Sequence, residues 1–488
     1  MTAQTWRRDL AASLVVFLVA LPLCVGIAVA SGVPAELGLV TGIVGGLVTG
    51  LLPGSSLQVS GPAAGLTVLV YDAVQQHGIS TLGVLVLAAG LLQILLGALR
   101  LGRWFRAITV AVVEGMLAGI GLTIIAGQLY AMADVTAPGS GLGKLAGLPA
   151  LAAEGFGSAA TLTALAVGVG TIAVLAAWPR LPARVRVVPA PLAAVALATA
   201  VVAVFDLPVA RLEVNGLLAA IRPPGAEDLA RLAEIGVIGT VLAFALISSA
   251  ESLFSAAAVD RMHDGPRTDY DKELMAQGAG NTVCGALGAL PMTAVIVRSS
   301  ANVSAGARTK ASRVLHGVWL LLFAALFPAA LGIIPLAALS GVLVHTGWKL
   351  VPLGRLAPLW REHRGEAIIL ACTAIAVVAL NLFEGVLLGL LLAVLKTAWE
   401  TSHVSVKVDD EGDGPIRVTL TGNATFLRLP KMLDALEALP RDRHIELDLT
   451  GLRHLDHACR IALTNWADRH NARDGEAPPA VAIVGTAT

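Results

Sequence analysis

The chain has 488 residues, with 34 basic and 34 acidic side chains, 56% hydrophobic residues and only 14% charged ones. Soluble domains carry roughly 25% charged residues, so this composition excludes an ordinary soluble protein. The zero net charge supplies no basic footprint for a nucleic-acid partner. The charge is uneven as well: residues 1–402 hold 24 Lys/Arg and 21 Asp/Glu, and residues 403–488 hold 10 and 13. A long membrane domain over 1–402 followed by a small soluble one over 403–488 accounts for that division.

In chain order, Trp6-Arg7-Arg8 precedes an apolar run from Leu10. Many further apolar stretches follow, so an uncleaved first membrane helix is expected rather than a signal peptide. A bilayer core needs about 20 apolar residues per helix. Such stretches fall near 10–30, 37–53, 81–99, 108–132, 160–178, 187–205, 236–258, 314–330, 331–347, 366–381 and 384–398. Two shorter, interrupted ones lie near 60–71 and 294–304, and a weak one near 276–290, making fourteen elements.

The cations test that topology, because cytoplasmic turns are enriched in Lys and Arg. With the N-terminus inside, the inner turns hold Arg7 and Arg8, then Arg100, Arg103 and Arg106, then Arg180, Arg184 and Arg186. They continue with Arg261, Arg267, Lys272, Arg308, Lys310, Arg313, Lys349, Arg355, Arg361, Arg364 and Lys396. The outer side holds only Lys144, Arg211, Arg222 and Arg231. A bias of 19 to 4 predicts fourteen spans with both termini cytoplasmic.

The two interrupted elements occupy the third place in each half. Paired broken helices in two repeats mark a transporter site at the membrane midplane. The first reads Ser55-Ser56-Leu57-Gln58-Val59-Ser60-Gly61-Pro62-Ala63-Ala64-Gly65, and the second runs from Gly285 through Pro291-Met292-Thr293-Ala294. Each leads an extended run through Gly or Pro into a short helix. A helix that begins inside the membrane exposes its first N–H groups and a partial positive charge. Two such starts facing one another make an anion cradle from backbone. The plainer alternative is a pair of Pro-kinked ordinary spans, which neighbouring helices tolerate. Gly38, Gly42, Gly46 and Gly50, Gly115 and Gly119, and Gly385 and Gly389 repeat at four-residue spacing and read as seams for close helix packing.

At these residues the chain resembles the sulfate permease (SulP) family of anion transporters, whose animal relatives include prestin. The likeness rests on Pro22-Leu23-Cys24-Val25-Gly26-Ile27-Ala28, on Ser60-Gly61-Pro62-Ala63-Ala64-Gly65, and on Pro291-Met292-Thr293-Ala294-Val295-Ile296-Val297-Arg298-Ser299-Ser300-Ala301-Asn302 with Ala305-Gly306-Ala307-Arg308-Thr309. It implies an α-helical polytopic membrane protein with 14 transmembrane segments. These form a seven-plus-seven inverted repeat split into core and gate domains, usually in a homodimer. It also implies an anion site between the third and tenth helix starts, placed here on Ser60, Gly61, Pro62, Ala63, Ala64, Thr293, Ala294, Val295 and Ile296. Many members have Gly where this chain has Ala294, which narrows the cradle by a methyl group. The wording Ala294-Val295-Ile296-Val297-Arg298 is similar to a bacterial branch found beside or fused to carbonic anhydrases, a pointer to bicarbonate.

Ionisable groups inside a membrane are functional candidates by default. Glu251 lies centrally in the eighth helix, where the resemblance places the cation-coupling acid, so it is the candidate for H+ or Na+ coupling. The alternative is a structural Glu satisfied by Ser248, Ser252 or Ser255. Arg298, one turn into the tenth helix, would contact the anion, gate its site, or pair with an acid such as Glu251. Glu36 and Glu114 read as interfacial, Glu36 also as a candidate for an access path. Asp72 and Glu384 read as solvated span ends, and His316 and His345 as side chains reaching toward water from helix ends.

The tail alternates strands and helices: strands at His403 to Val408 and Ile416 to Leu420, a helix at Leu429 to Leu439 and a buried strand at His444 to Leu449. A turn at Thr450-Gly451-Leu452, a helix at Ala458 to Asn471 and a strand at Ala480 to Val484 complete it. The order resembles a STAS domain, here short. Asp456-His457-Ala458 lacks the phosphorylatable Ser that often follows the Asp, so the tail reads as an assembly scaffold ahead of a regulator. Cys24, Cys284, Cys372 and Cys459 show no CxxC pair or metal-ligand spacing, and no disulfide, metal or cofactor is expected.

The expected function is a secondary active transporter in a bacterial inner membrane. It moves a small inorganic oxyanion, sulfate or bicarbonate, with H+ or Na+, by elevator-type alternating access. A dicarboxylate carrier, an uncoupled anion channel, a nucleobase carrier on the same fold and a non-transporting sensor are the rivals. An enzyme is not expected, because no nucleophile–base set, metal constellation or phosphate loop is present.

Overall fold

The computed structural model of the protein describes residues 3–103, 109–135, 137–138, 140–155, 158–182, 184–185, 188–214, 216–410, 412, 414–440, 443–471 and 481–484. Arg106 and Arg186, counted among the inner cations, and Ala480, at the start of the last expected strand, lie outside the described residues. The chain divides into two compact units, Met1–Leu390 and Leu391–Thr488.

The first unit opens with α1 (Ala3–Ala30) and α2 (Ala35–Val44), which runs on into a π-turn at Gly45–Thr49. Next come β1 (Ser60–Pro62), a 3-10 turn at Ala64–Leu66, α3 (Thr67–His77) and α4 (Ile79–Ala98). Beyond these lie α5 (Val110–Met132), α6 (Gly141–Ala146), α7 (Leu148–Gly155), α8 (Ala159–Ala177) and α9 (Ala190–Val204). The short α10 (Leu217–Ala220) and α11 (Ala226–Ala230) lead to the long α12 (Ile235–Val259) and α13 (Tyr270–Ala286). β2 (Met292–Ala294), α14 (Ile296–Ser304), α15 (Ala311–Leu326) and α16 (Ala329–Gly332) follow. The remaining helices are α17 (Leu336–Leu350), α18 (Leu353–Glu362), α19 (Arg364–Ala379) and α20 (Leu382–Thr401), the last crossing from one unit into the other.

Each of the fourteen apolar stretches read from the sequence falls on a helix, or on a strand with the helix after it. Among the described residues, seven helical segments are long and apolar enough to cross a membrane, Val110–Met132 and Gly236–Val259 among them. Four apolar helices are shorter.

The helices pack in two groups. In one, α4 lies along α13, α1 along α2 and α15, and α12 against α4; in the other, α5 lies against α17 and α19, and α8 against α17 and α9. Glycine makes the closest crossings, since without a side chain two helix backbones can meet. A Cβ on Gly46 would sit 2.5 Å from the Gly317 Cα, and one on Gly115 2.5 Å from the Leu370 carbonyl oxygen. One on Gly119 would sit 2.6 Å from the Val377 Cβ.

In the second unit, β3 (Val404–Asp409), β4 (Ile416–Ala424), β5 (Ile445–Leu455) and β6 (Val481–Val484) form a sheet in that order, with α21 (Leu429–Glu437) and α22 (His457–Asn471). The β3–β4 pair is antiparallel, whereas β4–β5 and β5–β6 are parallel, because each parallel step is bridged by a helix. The core is Val418, Leu420, Ile445 and Leu447 from the strands against Met432, Leu436, Leu463 and Trp466 from the helices. One expectation fails here: Thr450-Gly451-Leu452 is no turn. β5 continues to Leu455, and the register against β4 shifts between Thr419 and Thr421. The extra residue of a bulge, held by the Asp448 Oδ1 that accepts from Thr450 N at 2.9 Å, absorbs the Gly without ending the strand.

Candidate functional site: two broken helices around a small cavity

The interrupted elements meet at β1 and β2. These pair antiparallel, with Ser60 opposite Ala294, Gly61 opposite Thr293 and Pro62 opposite Met292. The Val295 N–H donates to Val59 O at 3.0 Å and extends the ladder. Backbone at membrane depth must find partners within the protein, and here polar side chains supply them. Ser252 Oγ accepts from Ala294 N at 3.2 Å, and Ser299 Oγ accepts from Val59 N at 2.9 Å. Asn281 pairs with Met292 twice, accepting its N–H at 2.7 Å and donating to its carbonyl at 3.1 Å. Asn281 and Ser248 are tied in turn to Gln93, which accepts from the first and donates to the second.

From each strand the chain turns directly into a helix. Ala63 is extended at φ −112°, ψ 136° before the turn into α3, and Val295 at φ −114°, ψ 117° before α14. Neither start carries a side-chain cap, so the first N–H groups of both are left to a ligand or water.

A cavity of about 100 Å3 lies at these starts. Ala64, Gly65, Val295, Ile296 and Arg298 line it from the broken elements, and Glu251, Phe254 and Ser255 from α12. Its opposite wall is apolar: Val113, Met116 and Leu117 at the beginning of α5, with Leu350 near the end of α17. Glu251 Oε2 is shut off from solvent with no hydrogen-bond partner. A Cβ on Gly65 would sit 2.5 Å from the Glu251 Oε1 and 2.7 Å from Oε2, so the carboxylate lies directly on the first turn of the broken helix. The Thr293 hydroxyl lies beside it as well.

Of the residues singled out in the sequence, Ala64, Val295, Ile296, Arg298 and Glu251 line the cavity. Ser60, Gly61, Pro62, Ala63, Thr293 and Ala294 are buried in and beside the strand pair. The Ser60 hydroxyl accepts from Gln277 Nε2 at 2.7 Å. Gly65, Phe254 and Ser255, like the apolar wall from α5 and α17, were not singled out as site residues. Ser255 is four residues past Glu251 and so shares its helix face, a signal present in the sequence.

The charged residues are rearranged relative to expectation. Ser248 and Ser252 do not satisfy Glu251: the first donates to the carbonyl of Phe244 and the second accepts from Ala294 N, while Ser255 lines the cavity beside it. Arg298 forms no ion pair with Glu251 among the described residues. It is fully buried, donates from Nη2 to Pro62 O at 3.3 Å, and leaves Nε and Nη1 without partners. A side chain on Gly61 would collide with Nη1 of Arg298, so Gly61 is the port through which the guanidinium reaches β1. His316 is not at a helix end reaching for water. It is completely buried in α15 with both ring nitrogens unpartnered, because α15 packs its inner face on α1 and α2. Glu36 is 2% exposed and buried rather than interfacial. Glu114 pairs with Arg355, and Glu384 is exposed as expected. Asp72 is half-buried, its charge felt by Lys144.

Residues 6–373 match the family model described as the sulfate permease family. The chain belongs to the sulfate permease family. That is a family of membrane anion transporters, not of enzymes. The chain is 29% identical over 397 residues to YvdB of Bacillus subtilis (strain 168), whose name gives it provisionally as a sulfate transporter; the match covers 80% of this chain and 73% of YvdB. It is 25% identical over 510 residues to the bicarbonate transporter BicA of Picosynechococcus sp., covering 94% of this chain and 86% of BicA. Among solved structures, the murine Slc26a9 anion transporter in the inward-facing state superimposes with a TM-score of 0.78 at 15% identity. That superposition covers 99% of this chain and 86% of the other, and at such low identity it establishes the fold alone.

Proposed function

We propose that the protein is a secondary active transporter of a small inorganic oxyanion, sulfate or bicarbonate, coupled to H+ or Na+. The observation that carries this reading is the meeting of two uncapped helix starts, joined by the β1–β2 pair, at a cavity that also holds the Glu251 carboxylate. Backbone N–H groups and two helix dipoles favour an anion there. The groups named as its binding surface are Ser60, Gly61, Pro62, Ala63, Ala64, Thr293, Ala294, Val295, Ile296 and Arg298. Those in the strand pair shape the cradle from behind. Arg298 adds positive potential at close range, since no carboxylate neutralises it among the described residues.

Glu251 supplies the coupling. An ionised carboxylate on the Ala64–Leu66 turn that opens the broken helix repels an anion held at the same turn. A proton or Na+ on that carboxylate removes the repulsion, so cation and anion occupy the site together and move together. A cavity of about 100 Å3 has room for an ion of a handful of heavy atoms, and the described residues around it present one carboxylate and no side-chain amide to a ring. The names of YvdB and BicA favour sulfate and bicarbonate over a dicarboxylate.

In the same reading the fourteen elements are spans in a seven-plus-seven inverted repeat, with both termini cytoplasmic in a bacterial cell membrane. The group containing α1, α12 and α14 is the core, and the group containing α5 and α17 is the gate against which it moves as an elevator. Residues 1–402 form the transporter domain of a homodimer, and 403–488 a STAS-like cytoplasmic domain that serves assembly.

The test is uptake of labelled sulfate and bicarbonate into proteoliposomes under imposed proton and sodium gradients, with fumarate as competitor. Accumulation that follows one cation gradient, and is abolished by Glu251→Gln and reduced by Arg298→Ala, supports the reading. Flux that never exceeds equilibrium under any gradient, and is unchanged by Glu251→Gln, would identify an uncoupled conductor instead.

A further inference from the structure

Lys144 is an oddity twice over. It stands on the cation-poor side of the chain's charge pattern, and the residue is only 6% exposed. Its surroundings are well built. α6 starts at Ser140, whose Oγ accepts from Gly143 N at 3.0 Å. The Lys144 carbonyl accepts from Tyr130 Oη at 2.8 Å, which ties this turn to the end of α5. The Lys144 stem lies along α5 at Gly127, where a Cβ would be 3.8 Å from its Cδ and Cε.

The ammonium group leaves that support and crosses to the other helical group. Lys144 Nζ lies 5.0 Å from the centre of the Tyr71 ring on α3. Asp72, the next residue, interacts with the same charge. The Tyr71 ring also lies close to Gly32, a position with φ +73°, where a Cβ would sit 3.3 Å from its Cδ2. The ring thus touches both the α1–α2 turn and a cation carried by the α5–α6 corner.

The position along the two helices gives this contact its meaning. The cavity is walled by the beginning of α5, at Val113, Met116 and Leu117. Tyr130 lies about 20 Å further along the same helix at about 1.5 Å per residue. α3 begins at the cavity and reaches Tyr71 and Asp72 within about two turns. Resting on the core and gate reading above, we propose that Lys144, Tyr71 and Asp72 form a latch that holds the far mouth of the crevice closed, and that parts whenever the site opens to that side.

A lysine over an aromatic face next to a carboxylate is stable only while both partners stay in place. Relative movement of α3 against α5 and α6 returns the ammonium to water and exposes the ring. The closed arrangement is therefore favoured by the latch, and removing it shifts the balance between the two states by about tenfold.

The experiment uses the full chain with its four cysteines replaced and a reporter Ser255→Cys in the cavity wall. Membrane-impermeant maleimide is applied separately to each face of oriented vesicles, and the labelling rate is read. Lys144→Gln is expected to raise labelling from the Lys144 face by about tenfold and to lower it from the opposite face. Asp72→Asn acts in the same direction by less, and the double variant goes no further than Lys144→Gln alone. Unchanged rates from both faces, or effects of the two substitutions that multiply independently, overturn the latch. Where Lys144→Gln does not reach the membrane, Tyr71→Leu keeps the apolar bulk without the aromatic face and must raise labelling from the Lys144 face as well, by less than tenfold because Asp72 remains; no increase overturns the proposal equally. The labelling needs no anion, so its failure leaves the transport reading standing, and a failure of uptake leaves the labelling result interpretable.

Discussion

Gly65→Ala separates the chemistry of the site from its stability. The backbone at Gly65 suits any residue, and a Cβ there would meet Glu251 first, at 2.5 Å from Oε1, 2.7 Å from Oε2 and 2.8 Å from Cδ. Ordinary contact begins at 3.4 Å, so the carboxylate must retreat by about 0.9 Å. It can do so, being the free end of a flexible side chain. The fold therefore loses little: Gly→Ala at a compatible position commonly stabilises by about 0.4–1 kcal/mol through the unfolded chain. The site loses much, because a reacting or binding group misplaced by about 1 Å costs roughly a hundredfold. We expect cation-driven anion uptake to fall by about that factor while the thermal midpoint of the purified protein holds or rises slightly. Gly45→Ala is the control with the opposite signature. Its Cβ would lie 2.5 Å from the Ser60 carbonyl oxygen and 2.7 Å from its carbon. That is backbone in a pinned strand, so overpacking of about 1–3 kcal/mol should lower the midpoint. Uptake by Gly65→Ala at the unaltered rate, with unaltered coupling, would refute the claim that the placement of Glu251 on the Ala64–Leu66 turn matters.

Three further outcomes follow from the same geometry. Ser252→Ala removes the acceptor of the Ala294 N–H and leaves that donor buried, so a loss of about 1–3 kcal/mol should appear as a lower denaturation midpoint; an unchanged midpoint would mean the strand pair is held by the ladder alone. In the tail unit, hydrogen bonds from the Thr450 hydroxyl and N–H hold the Asp448 carboxyl below its usual range. Because the folded value is the lower one, the resulting stability is present above about pH 4 and is lost as pH falls through the folded value, which hydrogen exchange at Thr450 should register as protection disappearing only in acid. Burial, and then Asp456, push the Cys459 thiol up to about 12, so it should resist maleimide at pH 7–9 in the folded protein and react on denaturation; rapid native labelling would contradict that placement.

Much of the architecture was legible in the sequence because a membrane imposes simple rules on composition. Spans must be apolar, backbone must be internally satisfied, and cations gather on one side. Those rules located fourteen stretches that carry helices, though not the short α6, α7, α10, α11 and α18, and they marked 60–71 and 294–304 as interrupted; the family resemblance then placed the site on Ser60–Ala64 and Thr293–Ile296. They also made Glu251 and Arg298 conspicuous, since a charge in an apolar run is visible without any structure. The glycine seams were legible for a similar reason, as four-residue spacing puts one residue type on one helix face.

Side-chain partners were not legible, because they depend on which helices become neighbours. Ser252 and Ser255 look alike in the sequence; one caps β2 and the other faces the cavity. His316 sits near the start of an apolar run yet is wholly enclosed by the packing of α15 on α1 and α2. Asp72 and Lys144 each read as an isolated charge at a span end, 72 positions apart, and only the approach of α3 to the α5–α6 corner makes them one feature. The sequence by itself determined that this is a membrane transporter with two broken helices, through local rules of hydropathy and backbone satisfaction. The tertiary structure decided what each polar group touches, since those contacts form between residues tens to hundreds of positions apart and leave no local pattern to read.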